Sequence, residues 1–140
     1  MPWSAASSAT APWAALQLAV ALSEVGFALP VWLGLRRQVA VRKSATAPGA
    51  ARPEVREHYE SFAVAPPVRE MSTLVLIDDV ITRGRTLLAA AARLRSKLPH
   101  ADIRAFALIR TLGFVQQLDR VTEVCHGIVR WGAGDAQREP

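Results

Sequence analysis

The chain lacks several features that would assign it to common classes of protein. Cys125 is its one cysteine, so no internal disulfide can form and a reducing compartment, the cytoplasm, is expected. In its apolar neighbourhood Cys125 is expected to be a core residue. The first charged residue is Glu24, so the early positive region of a secretory signal is missing. Glu24 and Pro30 also interrupt the apolar stretch 11–35, which argues against a membrane span.

Aromatic residues are sparse as well, at 6%, and they do not interleave with the basic residues. Stacking platforms for nucleic acid are therefore poor, and a nucleic-acid partner is not expected. No Gly-x-x-x-x-Gly-Lys-Ser/Thr loop occurs, which excludes a P-loop nucleotide site. What remains is a chain of one-domain size, 140 residues and 51% hydrophobic, whose net charge of +5 suits phosphate-rich ligands.

The strongest pattern lies in residues 73–86. Residues 74–77 are apolar without alternation, which is typical of a strand buried in a parallel sheet. Asp78 and Asp79 follow, then a short turn with Gly84, then an Ala/Leu-rich helix. The sequence therefore predicts a strand, an acidic strand end, a glycine loop and a helix in that order.

This order of elements has a chemical consequence. A loop that opens a helix presents backbone N–H groups and partial positive charge, and Gly84 lets the backbone approach an anion, so the loop is suited to phosphate. Thr82 and Thr86 can add hydroxyl donors. The carboxylates of Asp78 and Asp79 repel phosphate but accept hydrogen bonds from hydroxyl groups. We therefore infer that the ligand is a sugar phosphate, with its hydroxyls at the acids and its phosphate on the loop. The alternative is a buried strand whose acids only cap the next helix.

Residues 74–86 resemble the phosphoribosyl-pyrophosphate (PRPP) motif of type I phosphoribosyltransferases, in which a hydrophobic strand ends in two acids before a Thr-Thr-Gly-x-Thr-like loop. The resemblance implies that Asp78 and Asp79 are catalytic, because they hold the ribose hydroxyls and favour a cationic ring. It implies that the 5′-phosphate is wrapped by Val80, Ile81, Thr82, Arg83, Gly84, Arg85 and Thr86. Arg83 stands where a second Thr or Ser is usual, and it can still pair with phosphate.

Residues 36–62 resemble the ComF-like branch of this family more weakly. The resemblance implies a basic flap between two antiparallel strands, with 37–43 as one arm and the alternating segment 58–65 as the returning strand. The flap would contact pyrophosphate through Arg42, Lys43 and Arg52, with Arg36 and Arg37 as further candidates. A solvated basic hairpin is the alternative. His58 is expected to be a strand residue rather than a catalyst.

Alternating strands and helices predict an α/β fold: a single domain with a mostly parallel sheet flanked by helices, carrying the basic hairpin flap. Residues 1–11 are expected to be loose, 12–130 to form the domain and 131–140 to be a polar C-terminal tail. The further elements predicted are a helix from Pro12, strands at 28–33, 103–109 and 121–129, and a short helix at 113–118.

The resemblance implies transfer of the phosphoribosyl group from PRPP to a base or amine that the sequence does not identify, with release of pyrophosphate and with Mg²⁺ on the substrate oxygens. A homodimer is a further expectation. The family normally carries a strand and a pyrophosphate-binding loop before the first long helix, whereas only residues 1–12 precede that helix here. The element is therefore reduced or absent, or the chain begins inside a longer one. The alternative function is a non-catalytic PRPP- or nucleotide-binding module, regulatory or linked to DNA uptake.

Overall fold

The computed structural model describes residues 13–26, 30–41, 53–67, 70–112 and 122–139. These ranges hold three helices: α1 (Ala14–Glu24), α2 (Val55–Ser61) and α3 (Arg85–Arg95). They also hold six strands: β1 (Leu35–Arg37), β2 (Phe62–Val64), β3 (Thr73–Ile81), β4 (Asp102–Arg110), β5 (Ile128–Gly132) and β6 (Asp135–Glu139). The described chain is mixed α/β, and none of its helices combines the length and apolarity needed to cross a membrane.

The β3–α3–β4 unit is the centre of the fold. β3 and β4 pair in parallel, with Thr73 opposite Asp102 and Ile81 opposite Arg110, and α3 is the crossover between them. The parallel pairing predicted from the sequence is thus confirmed for these two strands. In the described residues the parallel sheet has two strands, and β1–β2 and β5–β6 form two separate antiparallel pairs.

The strand predicted over 58–65 is wrong in its first half, because α2 continues to Ser61 and β2 starts at Phe62. A capping box explains the helix. The Glu54 side chain accepts a hydrogen bond from the N3 backbone, and Glu57 Oε2 accepts from the Glu54 N–H at 3.0 Å. These two bonds satisfy backbone N–H donors at the start of the helix. They therefore favour a helix in a segment whose short polar–apolar alternation predicted a strand.

An antiparallel pair is present before the central unit, but the predicted arm 37–43 is wrong over its described part, because only Arg37 is strand and residues 38–41 are not. Leu35 in β1 lies opposite Val64 in β2. The strand predicted over 28–33 is displaced, since residues 30–34 are not strand and β1 begins at Leu35. The flap cations Arg42, Lys43 and Arg52, and the helix predicted at 113–118, lie outside the described residues.

The predicted polar tail 131–140 is corrected to a hairpin, and the predicted strand 121–129 begins only at Ile128. β5 turns into β6 through Ala133 and Gly134, whose φ angles of 48° and 80° are both positive. A two-residue turn with this geometry matches the twist of paired strands. In β6, Ala136 lies between polar residues, is 4% exposed and belongs to the core.

The core lies where α2, α3 and the C-terminal hairpin meet. Val55, Phe62, Ala89, Ala90 and Ala136 are its buried residues, and Leu76 of β3 and Val129 of β5 pack against them. The alanines on α3 leave little side-chain bulk between the helix and its neighbours. The start of α3 is therefore held close to both β3 and the hairpin.

Candidate functional site

The two predicted acids lie near the carboxyl end of β3. Asp78 Oδ1 accepts a hydrogen bond from the Asp79 N–H at 3.0 Å, and Asp79 Oδ1 accepts from the Val80 N–H at 2.9 Å. Asp78 is half-buried and Asp79 is exposed. One carboxylate therefore lines the interior side of the strand end, while its neighbour faces solvent.

Burial is the largest cause that raises the pKa of Asp78, to about 6, and a hydrogen bond to the Asp79 side chain is the next. The positive charge of Arg37 acts in the opposite direction. Ionised Asp78 is therefore disfavoured in the folded protein beside a second carboxylate. A ligand that donates hydroxyl groups or brings a cation to these oxygens would relieve this cost.

The connection from β3 to α3 is shorter than the seven-residue loop predicted from the sequence. Val80 and Ile81 belong to β3, where they lie opposite Ile109 and Arg110, while Arg85 and Thr86 are the first residues of α3. The connection that remains, Thr82, Arg83 and Gly84, is called the glycine turn below. It leads directly into the amino end of α3.

Gly84 is required both by its backbone and by its surroundings. Its φ of 83° is in the left-handed region, which L side chains rarely adopt. A Cβ atom at Gly84 would lie 2.7 Å from Val129 Cγ1 and 3.0 Å from Cγ2. The backbone of the glycine turn therefore lies against β5, and the Gly84 carbonyl accepts the first bond of α3, from the Leu88 N–H at 2.8 Å.

We expect Gly84→Val to lower the free energy of unfolding by about 3 kcal/mol, because left-handed strain and overpacking against Val129 add together. Urea denaturation checks this value. The double variant Gly84→Val/Val129→Ala should regain part of the loss, since it removes the steric conflict and keeps the backbone strain. A Gly84→Val protein as stable as wild type would contradict the close packing, and unchanged PRPP affinity would count against an anion site at the glycine turn.

Two arginines of the predicted phosphate loop contact the C-terminal hairpin. Arg85 Nε donates to Asp135 Oδ1 at 2.6 Å, Arg85 Nη2 donates to Asp135 Oδ2, and Arg85 Nη1 donates to the Pro53 carbonyl at 3.0 Å. Arg83 Nη1 donates to Asp135 Oδ2 at 3.3 Å. The Arg85 side chain is 18% exposed and the Arg83 side chain 64%. Arg85 thus links three segments of the protein, whereas Arg83 is open to solvent.

Arg37, one of the flap candidates, is held against α2 instead of extending into solvent. Its Nη1 donates to Ser61 Oγ at 2.7 Å, its Nη2 lies 3.1 Å from His58 Nδ1, and its guanidinium stacks over the Phe62 ring. His58 is only 3% exposed, and its Nε2 has no hydrogen-bond partner in the described part of the protein. Burial and then Arg37 lower the pKa of His58 to about 4. His58 is therefore a buried neutral residue of a helix, not of a strand.

Asp135 is the site residue that the sequence reasoning missed. The Gly132-Ala-Gly134 run before it is a sequence signal for a hairpin.

Cys125 was predicted to be a core residue, but the structure shows that it is exposed. Among the described residues, no three His, Cys, Asp or Glu side chains form a metal-binding group.

No protein-family model, curated protein or solved structure matches the chain. Fold and site together define a small mixed α/β protein in which a parallel strand carries two acids near its carboxyl end and a glycine turn opens the following helix.

Proposed function

We propose that the chain binds PRPP through the acidic end of β3 and the glycine turn. The observation that carries this proposal is the position of Asp78 and Asp79 near the carboxyl end of β3, two residues before the glycine turn whose Gly84 opens α3. Carboxylates accept hydrogen bonds from ribose hydroxyls, and N–H groups at a helix start donate hydrogen bonds to phosphate oxygens. A sugar phosphate carries both hydroxyl and phosphate groups.

The reaction proposed is transfer of the phosphoribosyl group to a base or amine. The bond between C1′ and the pyrophosphate oxygen breaks with its electron pair leaving on pyrophosphate, while a nitrogen lone pair of the acceptor forms the new bond to C1′. A proton carried by that nitrogen passes to water. Positive charge develops on the ribose ring in between. In this proposal Asp78 and Asp79 stabilise that charge and orient the ring through its hydroxyls.

Mg²⁺ is compatible with this donor set, because carboxylate oxygens are hard ligands and a cation would offset the repulsion between the adjacent carboxylates of Asp78 and Asp79. When bound, the ion neutralises charge on the pyrophosphate and ribose oxygens. Asp78 and Asp79 are the residues that would hold it, either directly or through the ribose hydroxyls.

Calorimetric titration of the purified chain with PRPP, with and without Mg²⁺, tests the proposal. Saturable binding that strengthens with Mg²⁺ would support it, and a screen of bases and amines for pyrophosphate release would follow. Binding without release from any acceptor would favour the non-catalytic PRPP-binding module. Absence of binding under both conditions would contradict the proposal.

A further inference from the structure

The C-terminal hairpin brings a carboxylate to the glycine turn and fixes it there. Asp135 is the first residue of β6 and accepts hydrogen bonds from both Arg83 and Arg85. A second residue of β6 attaches the hairpin to the central sheet, since Arg138 donates to the Ile81 carbonyl at 3.3 Å and to the Thr111 carbonyl at 2.6 Å. Asp135 is therefore held by its strand as well as by the arginines.

The two arginines differ in how easily they can leave Asp135. Arg85 donates through all three guanidinium nitrogens to protein acceptors, and its side chain is mostly covered. Arg83 donates to the same carboxylate across 3.3 Å from an exposed position. Exposed ion pairs contribute little, so Arg83 can exchange Asp135 for a ligand anion at small cost. The hydrogen bond from Arg85 also lowers the pKa of Asp135, so the carboxylate stays charged at neutral pH.

We propose that Asp135 is a specificity-determining residue of the glycine turn: it occupies Arg85 and leaves Arg83 as the guanidinium that meets the ligand. This inference rests on the proposed function and assigns the ligand's phosphomonoester group to the turn. A single phosphate group can pair with Arg83 and the helix N–H groups. A di- or triphosphate carries more negative charge toward Asp135, and repulsion from the carboxylate disfavours it.

The test is calorimetric titration with two probes, inorganic phosphate and inorganic pyrophosphate. The variants are Asp135→Asn and, as a control with the same change in net charge, Asp102→Asn, which breaks the 2.8 Å pair with Arg104 at the other end of β4. We expect Asp135→Asn to raise pyrophosphate affinity about tenfold, the value of one charge-assisted hydrogen bond, and to raise phosphate affinity less. Asp102→Asn should match wild type.

Unchanged or weaker pyrophosphate binding by folded Asp135→Asn would overturn the inference, as would an equal gain in Asp102→Asn or no anion binding by any of these proteins. If Asp135→Asn does not fold, Arg83→Gln decides the matter, because its exposed side chain leaves the Arg85–Asp135 pair intact. That variant should lose about tenfold in affinity for both anions at unchanged stability, and retained affinity would overturn the inference.

Titration of wild type and of the Asp78→Asn/Asp79→Asn double variant with PRPP and with pyrophosphate separates this inference from the proposed function. If PRPP binds no more tightly than pyrophosphate, and if its affinity is unchanged when Asp78 and Asp79 are replaced, the proposed function fails. The selectivity change in Asp135→Asn would still stand as a property of the glycine turn.

Discussion

Replacing both acids at the end of β3, by Asp78→Asn and Asp79→Asn, is expected to abolish measurable PRPP binding while making the protein more stable at neutral pH. The amides keep the shape of the carboxylates but lose their charge. Each lost charge-assisted bond to a ribose hydroxyl weakens binding by about 1.5–3 kcal/mol, so the two together reduce affinity by roughly 100-fold or more.

The gain in stability has a different cause. Burial and Asp79 raise the pKa of Asp78 from 3.8 to about 6, so the folded protein disfavours its ionised form. A raised pKa contributes stability that is present below the unfolded value and is lost as pH rises through the folded value, so ionised Asp78 destabilises the fold above about pH 6. After a discount for partial solvent screening, removal of the charge should raise the free energy of unfolding by about 1 kcal/mol.

Urea denaturation and PRPP titration on the same preparations check both halves of this prediction. The stability advantage of the double variant over wild type should be largest near neutral pH and shrink in acid, where Asp78 is protonated in both states. Asp102→Asn removes a paired, exposed carboxylate elsewhere and should leave PRPP affinity unchanged. Normal PRPP affinity in the double variant would contradict the ribose assignment, and a loss of stability would contradict the electrostatic explanation.

The central unit was predictable because its signals are local and agree with one another. Residues 74–77 form an unbroken apolar run, the acids follow it directly, and the Ala/Leu-rich segment has helical periodicity. The burial expected from the run is wrong at Val75, which is 51% exposed. The approach of an anion to Gly84 stays a prediction, whereas the structure itself requires a glycine there through its left-handed φ and its contact with Val129. The parallel pairing of β3 with β4 follows from the helix between them.

Two parts of the site were not predictable for physical reasons. The segment 58–65 alternates as a strand does, yet Glu54 and Glu57 cap a helix there, and so short a segment carries two competing signals. The bond between Arg85 and Asp135 joins residues separated by 50 positions, and no periodic pattern links them. The sequence predicted that Arg85 contacts the phosphate, whereas in the structure its guanidinium donates to Asp135 and to the Pro53 carbonyl.

The contacts among Arg37, His58 and Ser61 are relevant here. They connect α2, which the sequence did not predict, with the two acids of β3, which it did predict. Arg37 contacts His58 and Ser61 of α2, and its charge also acts on Asp78. A change in the protonation of His58 therefore alters the surroundings of Arg37, a cation whose charge acts on Asp78. The neutral form of His58 is the one that this arrangement favours.

Acidification from neutral pH to about pH 4 is expected to destabilise the protein by about 3 kcal/mol through His58. Burial is the largest cause that lowers its pKa from 6.5 to about 4; Arg37 and Arg85 act in the same direction, and Glu57 opposes them. The unfolded chain binds a proton on His58 below pH 6.5, whereas the folded protein does so only near pH 4. Stability from this group is thus complete above pH 6.5 and is lost as pH falls through that window.

Urea denaturation across this pH window, on wild type and His58→Gln, measures the effect. The glutamine keeps an acceptor for Arg37 but has no titrating group, so its stability should fall less steeply with decreasing pH. The contribution of Asp78 to the stability of the protein grows as pH falls. Because Asp78 is present in both proteins, this contribution cancels in the comparison. His100→Gln, at an exposed position, should keep the wild-type slope. An identical slope in His58→Gln and wild type would show that His58 is not the buried group that resists protonation.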